Sequence, residues 1–172
     1  NEIIKDIICK AILTQKGYCP AWRGVVNLGG YYYQKCIGRY SMNIPLEIKV
    51  IKRFFKKEKQ ERFIGFVSSV KNRKKFILEL SHLKDLNWEY FTEAPSIDII
   101  NTAVKGIADS CYVISESSAV DGSCLPIDQA LALTDSGFAM ILVFGDANQI
   151  YYEGEPPNNR FLSNKSMPVH EI

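Results

Sequence analysis

FAMILVFGDANQIYYEGE, residues 138–155, is the stretch that decides the fold. Its first seven residues, 138–144, are all apolar, and a continuous run of this length predicts a buried central strand. The following GDAN carries the glycine and aspartate that are typical of a turn. QIYYEGE (149–155) then predicts a strand that returns as a hairpin partner. The stretch therefore places a hairpin at the centre of a sheet.

The residues before this hairpin predict the rest of the C-terminal half. CYVISE (111–116) is rich in β-branched and aromatic residues, which are typical of a strand, and Asp121-Gly122 marks a turn. PIDQALALTDSG (126–137) has Pro near its start and Gly just past its end, which predicts a helix. IDIINTAVKG (97–106) predicts a shorter helix that ends at its glycine.

Residues 44–86 predict a helical block. Asn43 or Ser41 is the expected N-cap of its first helix, which is entered near Pro45. Two more helices follow, because apolar residues continue to recur at helical spacing. In the second helix the residues at i, i+3, i+4 and i+7 are Phe63, Phe66, Val67 and Val70.

The first sixteen residues predict a further helix, and YYYQKCIGRYSM (31–42) predicts a strand. Together these elements indicate an α+β fold, in which N-terminal and central helices cover a small antiparallel or mixed sheet built largely from the C-terminal half. The length of 172 residues fits a single domain over 1–172. Within it we expect the helical block at 44–86, the sheet-containing half at 107–155 and a loose tail at 156–172.

Composition excludes several classes of protein. The apolar fraction of 47% and the charged fraction of 23% are those of a globular domain. No apolar run approaches the roughly 20 residues that a membrane-spanning helix needs, and charged residues interrupt the N-terminal apolar residues, so no secretory signal is expected. Five cysteines, an odd number without a CxxC pair, indicate reduced thiols and a cytoplasmic location.

Charge is divided along the chain. Residues 1–46 carry a net charge of +4, residues 47–75 a net +8 and residues 76–172 a net −10, within a total of +2. Such a division bears on partners and not on the fold. Either the basic middle packs beside the acidic end so that the two screen each other, or one charged face is offered to a partner.

No motif indicates a reaction. The chain lacks GxSxG, GxxxxGK[ST], GxGxxG and HExxH. His82 ends a predicted helix, where a structural role is expected, and His170 lies near the chain end. LEIKV (46–50) holds Glu-x-Lys, half of a metal-dependent nuclease signature, but an upstream acid in a suitable place is missing. The sequence thus predicts no catalytic residue, no cofactor and no metal ligand.

The favoured hypothesis is therefore a non-enzymatic protein that acts by binding a protein partner. Acidic residues of the C-terminal half fall at strand ends and turns, where they can converge on one side of the sheet and speed association with a basic partner. An immunity or antidote protein that neutralises a basic toxin fits this description. The residues of this acidic face are Asp109, Glu116, Asp121, Asp146, Glu153 and Glu155.

Two alternatives belong to other classes. The same carboxylates, if they converge, fit an enzyme or a metal-binding domain. The basic helical block fits an RNA- or DNA-binding protein whose affinity falls steeply with salt. The residues of the basic block that would contact phosphates are Lys52, Arg53, Lys56, Lys57, Lys59, Arg62, Lys71, Arg73, Lys74 and Lys75.

Three segments carry a resemblance. RFIGFVSSVKNRKKFILELSHLKDL (62–86), DSCYVISESSAVDGSCLPIDQAL (109–131) and YYEGE (151–155) cover about a third of the chain. They are similar to an uncharacterised family of small bacterial proteins. The resemblance implies a bacterial cytosolic protein whose middle and C-terminal halves form one unit, and it implies no catalytic residue.

Overall fold

The computed structural model describes the backbone of residues 26–28 and 31–33, and residues 42–94, 96–134, 136–154 and 160–164. The chain divides into two compact units, Asn1–Ser41 and Met42–Ile172. In the first unit, β1 (Val26–Leu28) pairs antiparallel with β2 (Tyr31–Tyr33). The helix predicted over the first sixteen residues lies outside the described residues, and a single domain over 1–172 stays a prediction.

The second unit begins with three helices and continues with strands and two further helices. Its helices are α1 (Ile44–Phe54), α2 (Lys57–Val67), α3 (Val70–Glu79), α4 (Ile97–Val104) and α5 (Ile127–Leu131), with 3₁₀ turns at Leu80–His82 and Trp88–Tyr90. Its strands are β3 (Phe91–Glu93), β4 (Ser110–Ser115), β5 (Cys124–Pro126), β6 (Met140–Phe144), β7 (Gln149–Glu153) and β8 (Arg160–Ser163).

The predicted helical block is confirmed as α1 to α3. Asn43 caps α1, because its side chain accepts a hydrogen bond from the Leu46 N–H at 3.2 Å. The prediction that Val70 belongs to the apolar side of the second helix is wrong, because Val70 is the first residue of α3 and its side chain is exposed. The helix predicted over 126–137 is shorter than expected: α5 ends at Leu131, and β5 occupies the residues just before it.

The six strands of the second unit form one antiparallel sheet in the order β3-β8-β7-β6-β4-β5. β6 lies between β7 and β4, as its apolar run predicts, and Leu142 is paired with Tyr151 on one side and Val113 on the other. The predicted α+β fold is therefore confirmed, and of the two predicted kinds of sheet, antiparallel or mixed, the antiparallel one is present.

Both predicted limits of the sheet-containing half, residues 107 and 155, are wrong. Strand β8 lies inside the segment predicted to be a loose tail, where Leu162 pairs with Tyr151 of β7 and with Thr92 of β3. The sheet thus extends beyond residues 107–155 at both ends. The apolar pair Phe161-Leu162 explains this result, because Leu162 is buried against the sheet core while the neighbouring residues are polar.

The sheet is covered on both faces. On one face, residues such as Ile141 and Val143 of β6 pack in a core with apolar side chains of α1 to α3. On the other face, Leu142 and Phe144 pack with α4 and α5. A strand between two cores has no polar side, which is why residues 138–144 show no alternation. Among the described residues no helix is long and apolar enough to cross a membrane.

Candidate functional site

A buried cluster of charges joins the helices to the sheet. Arg73 of α3 is 2% exposed and Glu47 of α1 is 1% exposed. The Arg73 Nε–H lies 3.0 Å from Glu47 Oε2, and Arg73 Nη2 donates to Glu47 Oε1 at 2.8 Å. Arg73 also donates to both carboxylate oxygens of Asp121, one of them at 2.9 Å. One guanidinium thus binds two carboxylates, and these three residues with Tyr112 are called the Arg73 cluster below.

Tyr112 of β4 completes the Arg73 cluster. Its hydroxyl donates to Glu47 Oε1 at 2.7 Å and accepts from the Asn43 N–H at 3.2 Å. Asp121, in the turn after β4, also accepts from the Ser115 N–H at 3.1 Å. The cluster therefore fastens α1 and α3 to β4 and its turn, which is what a structural ion pair does when every polar atom has a partner.

Protonation in the cluster is fixed by burial and by these contacts. Burial lowers the pKa of Arg73, but hydrogen bonds to Asp121 and Glu47 outweigh it, and the net pKa is raised. Burial, together with the charge of Glu47, raises the pKa of Tyr112. Arg73 thus stays charged and Tyr112 stays a hydrogen-bond donor throughout the neutral range, so neither is poised to exchange a proton.

The position of Arg73 corrects the predicted phosphate contacts. A buried guanidinium bound to two carboxylates has no face left for a phosphate.

The two residues of the Glu-x-Lys pair, Glu47 and Lys49, point to different places. Glu47 is buried and bound to Arg73, whereas Lys49 is exposed and bonds Asp146 of the β6–β7 turn at 2.5 Å. The two side chains do not share a site.

The predicted acidic face is divided between opposite ends of the sheet. Asp109 precedes β4 and Asp146 follows β6, so these two exposed residues lie at one end. Glu116 follows β4, and Glu153 ends β7 opposite Met140, at the other end. Asp121 is bound to Arg73, and Glu155 lies outside the described residues. This placement does not support one acidic contact surface.

Glu153 is a buried carboxylate with structural partners. It accepts a hydrogen bond from the Tyr151 hydroxyl at 2.9 Å, and Arg160 Nε lies 3.7 Å from its Oε1. Burial raises the pKa of Glu153, although the hydrogen bond from Tyr151 opposes this. Burial, together with the charge of Glu153, raises the pKa of Tyr151. Glu153 belongs to the interior and not to the predicted face.

Within the part of the chain that the structure describes, no group of three or more His, Cys, Asp or Glu residues could hold a metal ion. Glu116 is bound to the Ser81 hydroxyl and accepts from the Ala139 N–H at 3.2 Å. Burial raises the pKa of Cys111 to about 12, so its thiol is inert at neutral pH. His170 lies outside the described residues.

The outer side of the helical block keeps most of its cations exposed. Arg62 pairs with Glu79 and with Asp85, and Arg73 is buried. The other predicted phosphate contacts have no ion pair among the described residues and are exposed or half-buried: Lys52, Arg53, Lys56, Lys57, Lys59, Lys71, Lys74 and Lys75.

Helix α3 presents a mixed face. Lys71, Lys74 and Lys75 are exposed there together with two large apolar side chains, Val70 at 65% and Leu78 at 78% exposure. Lys71, Lys74, Lys75 and Leu78 follow the i, i+3, i+4, i+7 pattern and so lie on one side of the helix. These five residues are called the α3 face below.

An open groove of about 590 Å³ lies beside the edge of the sheet. Four aromatic side chains line it: Trp88, Phe91, Tyr152 and Phe161. Trp88 is at their centre, 4.7 Å from Phe161 and 5.6 Å from Phe91 between ring centroids. Lys56, His82 and Lys84 also line this aromatic groove, and none of the described residues in its lining is acidic.

The floor of the aromatic groove is held in place by close contacts. The Tyr152 hydroxyl donates to the Leu80 carbonyl at 2.8 Å and accepts from the Leu83 N–H at 3.3 Å. A Cβ at Gly154 would lie 2.6 Å from that hydroxyl and 3.1 Å from the Ser81 carbonyl, so only glycine fits there. These contacts fix the position of the Tyr152 ring in the groove.

Sequence reasoning missed both the Arg73 cluster and the groove, although the cluster carries a signal. Glu47 precedes Val50, Ile51 and Phe54 at i+3, i+4 and i+7, so a charge stands on an apolar stripe. Arg73 stands in the same way before Phe76 and Leu80. Opposite charges on two apolar stripes indicate a buried pair. The groove has no comparable signal, because its residues come from distant segments.

No protein-family model matches the chain, and no curated protein and no solved structure matches it either.

Proposed function

We propose that this is a binding protein that acts through an acidic protein partner, which docks on the α3 face. The observation that carries this proposal is the exposure of Val70 and Leu78, at 65% and 78%, beside three exposed lysines. Exposed apolar side chains that are rimmed by polar residues mark a contact surface. The protein-binding class is the one favoured by the sequence, with the contact moved from the acidic residues to a basic surface.

Charge on this face supports an acidic partner. Lys71, Lys74 and Lys75 have no carboxylate partner among the described residues, so their field reaches solvent. Complementary charge steers two proteins together and speeds their association. By contrast, the described acids that were expected to bind a basic partner are buried, paired or at opposite ends of the sheet. An antidote role remains one instance of the proposal, and it would require an acidic toxin.

Nucleic acid is less well matched to the same surface. Arginine is the side chain best suited to grip phosphate, because its fork binds two oxygens at once. Of the three arginines of the helical block, Arg62 and Arg73 are already committed to carboxylates, and Arg53 belongs to α1 and not to the α3 face. Val70 and Leu78 would gain nothing against a phosphate backbone, whereas a protein surface can bury them.

The test uses the full chain and a charge-reversed variant. We would replace Lys71, Lys74 and Lys75 by Glu together and compare a control with the same charge change, Lys52→Glu, Lys57→Glu and Lys105→Glu, away from the α3 face. Each protein captures partners from a nuclease-treated extract of the native host. Partners are identified by mass spectrometry, and their affinity is then measured by calorimetry with purified proteins.

We expect an acidic protein whose affinity falls at least about tenfold, or about 1.4 kcal/mol, with the α3-face variant and stays unchanged with the control. Leu78→Ser should also weaken that complex, because binding buries this side chain. Equal loss with both triple variants would show only a general effect of charge. Recovery of a basic protein, or of a nucleic acid in untreated extract, would overturn the proposal.

A further inference from the structure

We infer that the aromatic groove is a binding site for a small molecule that carries a planar ring and an anionic group. This site is separate from the α3 face and does not depend on the proposed function. The inference rests on two properties that the described residues of the groove combine: an aromatic wall and a rim with basic side chains but no acid.

The aromatic wall suits a flat ring. Trp88, Phe91 and Phe161 are half-buried, so their rings are accessible from the groove. Trp88 contacts Phe161 and Tyr152 edge-on, with centroids 4.7 Å and 6.0 Å apart. Aromatic rings favour offset or edge-to-face contacts with another ring. The volume of about 590 Å³ is within the range of small-molecule pockets.

The Tyr152 and Ser81 hydroxyls of the wall already form hydrogen bonds within the protein, so the lysines are the groups that can bind the charged part of a ligand. The Tyr152 hydroxyl is bonded to the Leu80 carbonyl and the Leu83 N–H. The Ser81 hydroxyl donates to Glu116. A ligand that fits the groove would therefore find its charged contacts at the rim.

The rim favours an anion. Lys56 Nζ donates to the Lys84 carbonyl at 3.2 Å, and an ammonium has two further donors. Glu116 and Asp85, described acids that lie beside lining residues, do not line the groove: Glu116 is bonded to the Ser81 hydroxyl and the Ala139 N–H, and Asp85 lies 3.7 Å from Arg62 Nη1. Lysine ammonium groups beside an aromatic wall bind a phosphate or a carboxylate attached to a ring. A nucleoside monophosphate and an aromatic carboxylate are the two sources of this chemistry.

The test follows Trp88 fluorescence in the full chain. The sequence contains two tryptophans, so Trp22→Phe leaves Trp88 as the single reporter. The probes are adenosine monophosphate and indole-3-acetate, which separate the two sources. Adenosine supplies the ring without the anion, and inorganic phosphate supplies the anion without the ring. Binding to the unsubstituted chain is measured in parallel by calorimetry.

We expect saturable quenching by one of the two ring-bearing anions and much weaker binding of adenosine and of inorganic phosphate. Lys56→Ala with Lys84→Ala should weaken binding about tenfold or more, which corresponds to about 1.4 kcal/mol. The matched control, Lys71→Ala with Lys74→Ala, removes two lysines of the α3 face and should bind normally. Far-UV circular dichroism verifies that each variant is folded.

Three results would overturn the inference. The first is the absence of saturation by either ring-bearing anion. The second is equal binding of inorganic phosphate, which would reduce the groove to a nonspecific anion contact. The third is unchanged affinity in the folded Lys56→Ala, Lys84→Ala variant. The groove test and the α3-face test change different lysines. A negative result for the groove therefore does not bear on the protein-partner proposal, and a negative result for the α3 face does not bear on the groove.

Discussion

Arg73 should matter far more for stability than the lysine next to it. Arg73→Met leaves Glu47 buried without its cation, and loss of one partner of a buried pair costs about 3–5 kcal/mol of unfolding free energy. Lys74→Met, on the exposed side of the same helix, should change it by less than about 0.5 kcal/mol. Urea unfolding measures both variants. Similar values would show that the Arg73 cluster does not hold the fold.

Glu153 should make stability depend on pH. Its pKa in the folded protein is raised, so between the ordinary value of about 4.3 and the folded value the folded state holds a proton that the unfolded state has lost. Unfolding then releases a proton, and a rise in pH through this window favours unfolding. Below the window the carboxyl is protonated in both states and has no effect.

Glu153→Gln removes this titration. The free energy of unfolding of wild type relative to Glu153→Gln should therefore decrease as the pH rises above about 4.3, with a slope of at most about 1.4 kcal/mol per pH unit. Urea unfolding from pH 4 to pH 8 measures the difference, and Glu58→Gln on the exposed side of α2 is the control. A difference that is constant, or that increases with pH, would contradict the expected direction.

At the scale of helices, the N-cap of α1 should contribute more to the free energy of unfolding than the N-cap of α3. Asn43 accepts the Leu46 N–H at 3.2 Å, whereas Ser69 at the start of α3 makes no side-chain cap hydrogen bond. Asn43→Ala should cost about 1 kcal/mol, and Ser69→Ala should cost well under 0.5 kcal/mol. Thermal and urea unfolding test this pair. Equal costs would mean that the cap of α1 contributes nothing specific.

At the scale of strands, β8 should be part of the cooperative sheet. Leu162 is buried between β3 and β7, so Leu162→Ala should cost about 2–5 kcal/mol through lost burial and the cavity left behind. Phe138→Ala removes a larger but exposed side chain and should cost less. Chemical unfolding compares the two. If Leu162→Ala proved neutral, residues 160–163 would be as loose as the sequence first indicated.

For the second unit as a whole, the two cores should unfold together, since β4, β6 and β7 contribute side chains to both. Phe76→Ala on the α3 side and Ile100→Ala on the α4 side should each lower stability by about 2–5 kcal/mol. Trp88 fluorescence in the Trp22→Phe background and far-UV circular dichroism should report one coincident transition in each variant. Separate midpoints in the Ile100→Ala protein would show that the two faces are not coupled.

The elements of the second unit were largely predictable because their signals are local. The apolar run 138–144 and its hairpin partner gave the centre of the sheet, and the cap and apolar spacing gave α1. Strand β8 was missed because Phe161-Leu162 is a short apolar pair in a polar segment, and only pairing with β3 and β7 makes it a strand.

The candidate sites were less predictable. Nothing in the residues next to Arg73 separates it from Lys74 and Lys75 as a phosphate contact, except its place on the apolar stripe. Its partners Glu47 and Asp121 lie 26 and 48 residues away in the chain. From the sequence, Arg73, Glu47 and Asp121 each contribute one charge to their region. Burial and pairing decide which of these charges are accessible to a partner.

The sequence by itself determined the helical block, the central hairpin and the total of charges in each region. These follow from spacing, turn residues and composition, which act over a few neighbouring residues. Only the tertiary structure decided that Asp109 and Asp146 lie at the end of the sheet opposite to Glu116 and Glu153, that Arg73 is buried, and that Trp88 and Lys56 meet in one groove. These depend on contacts between residues tens of positions apart, which form when the helices pack on the sheet.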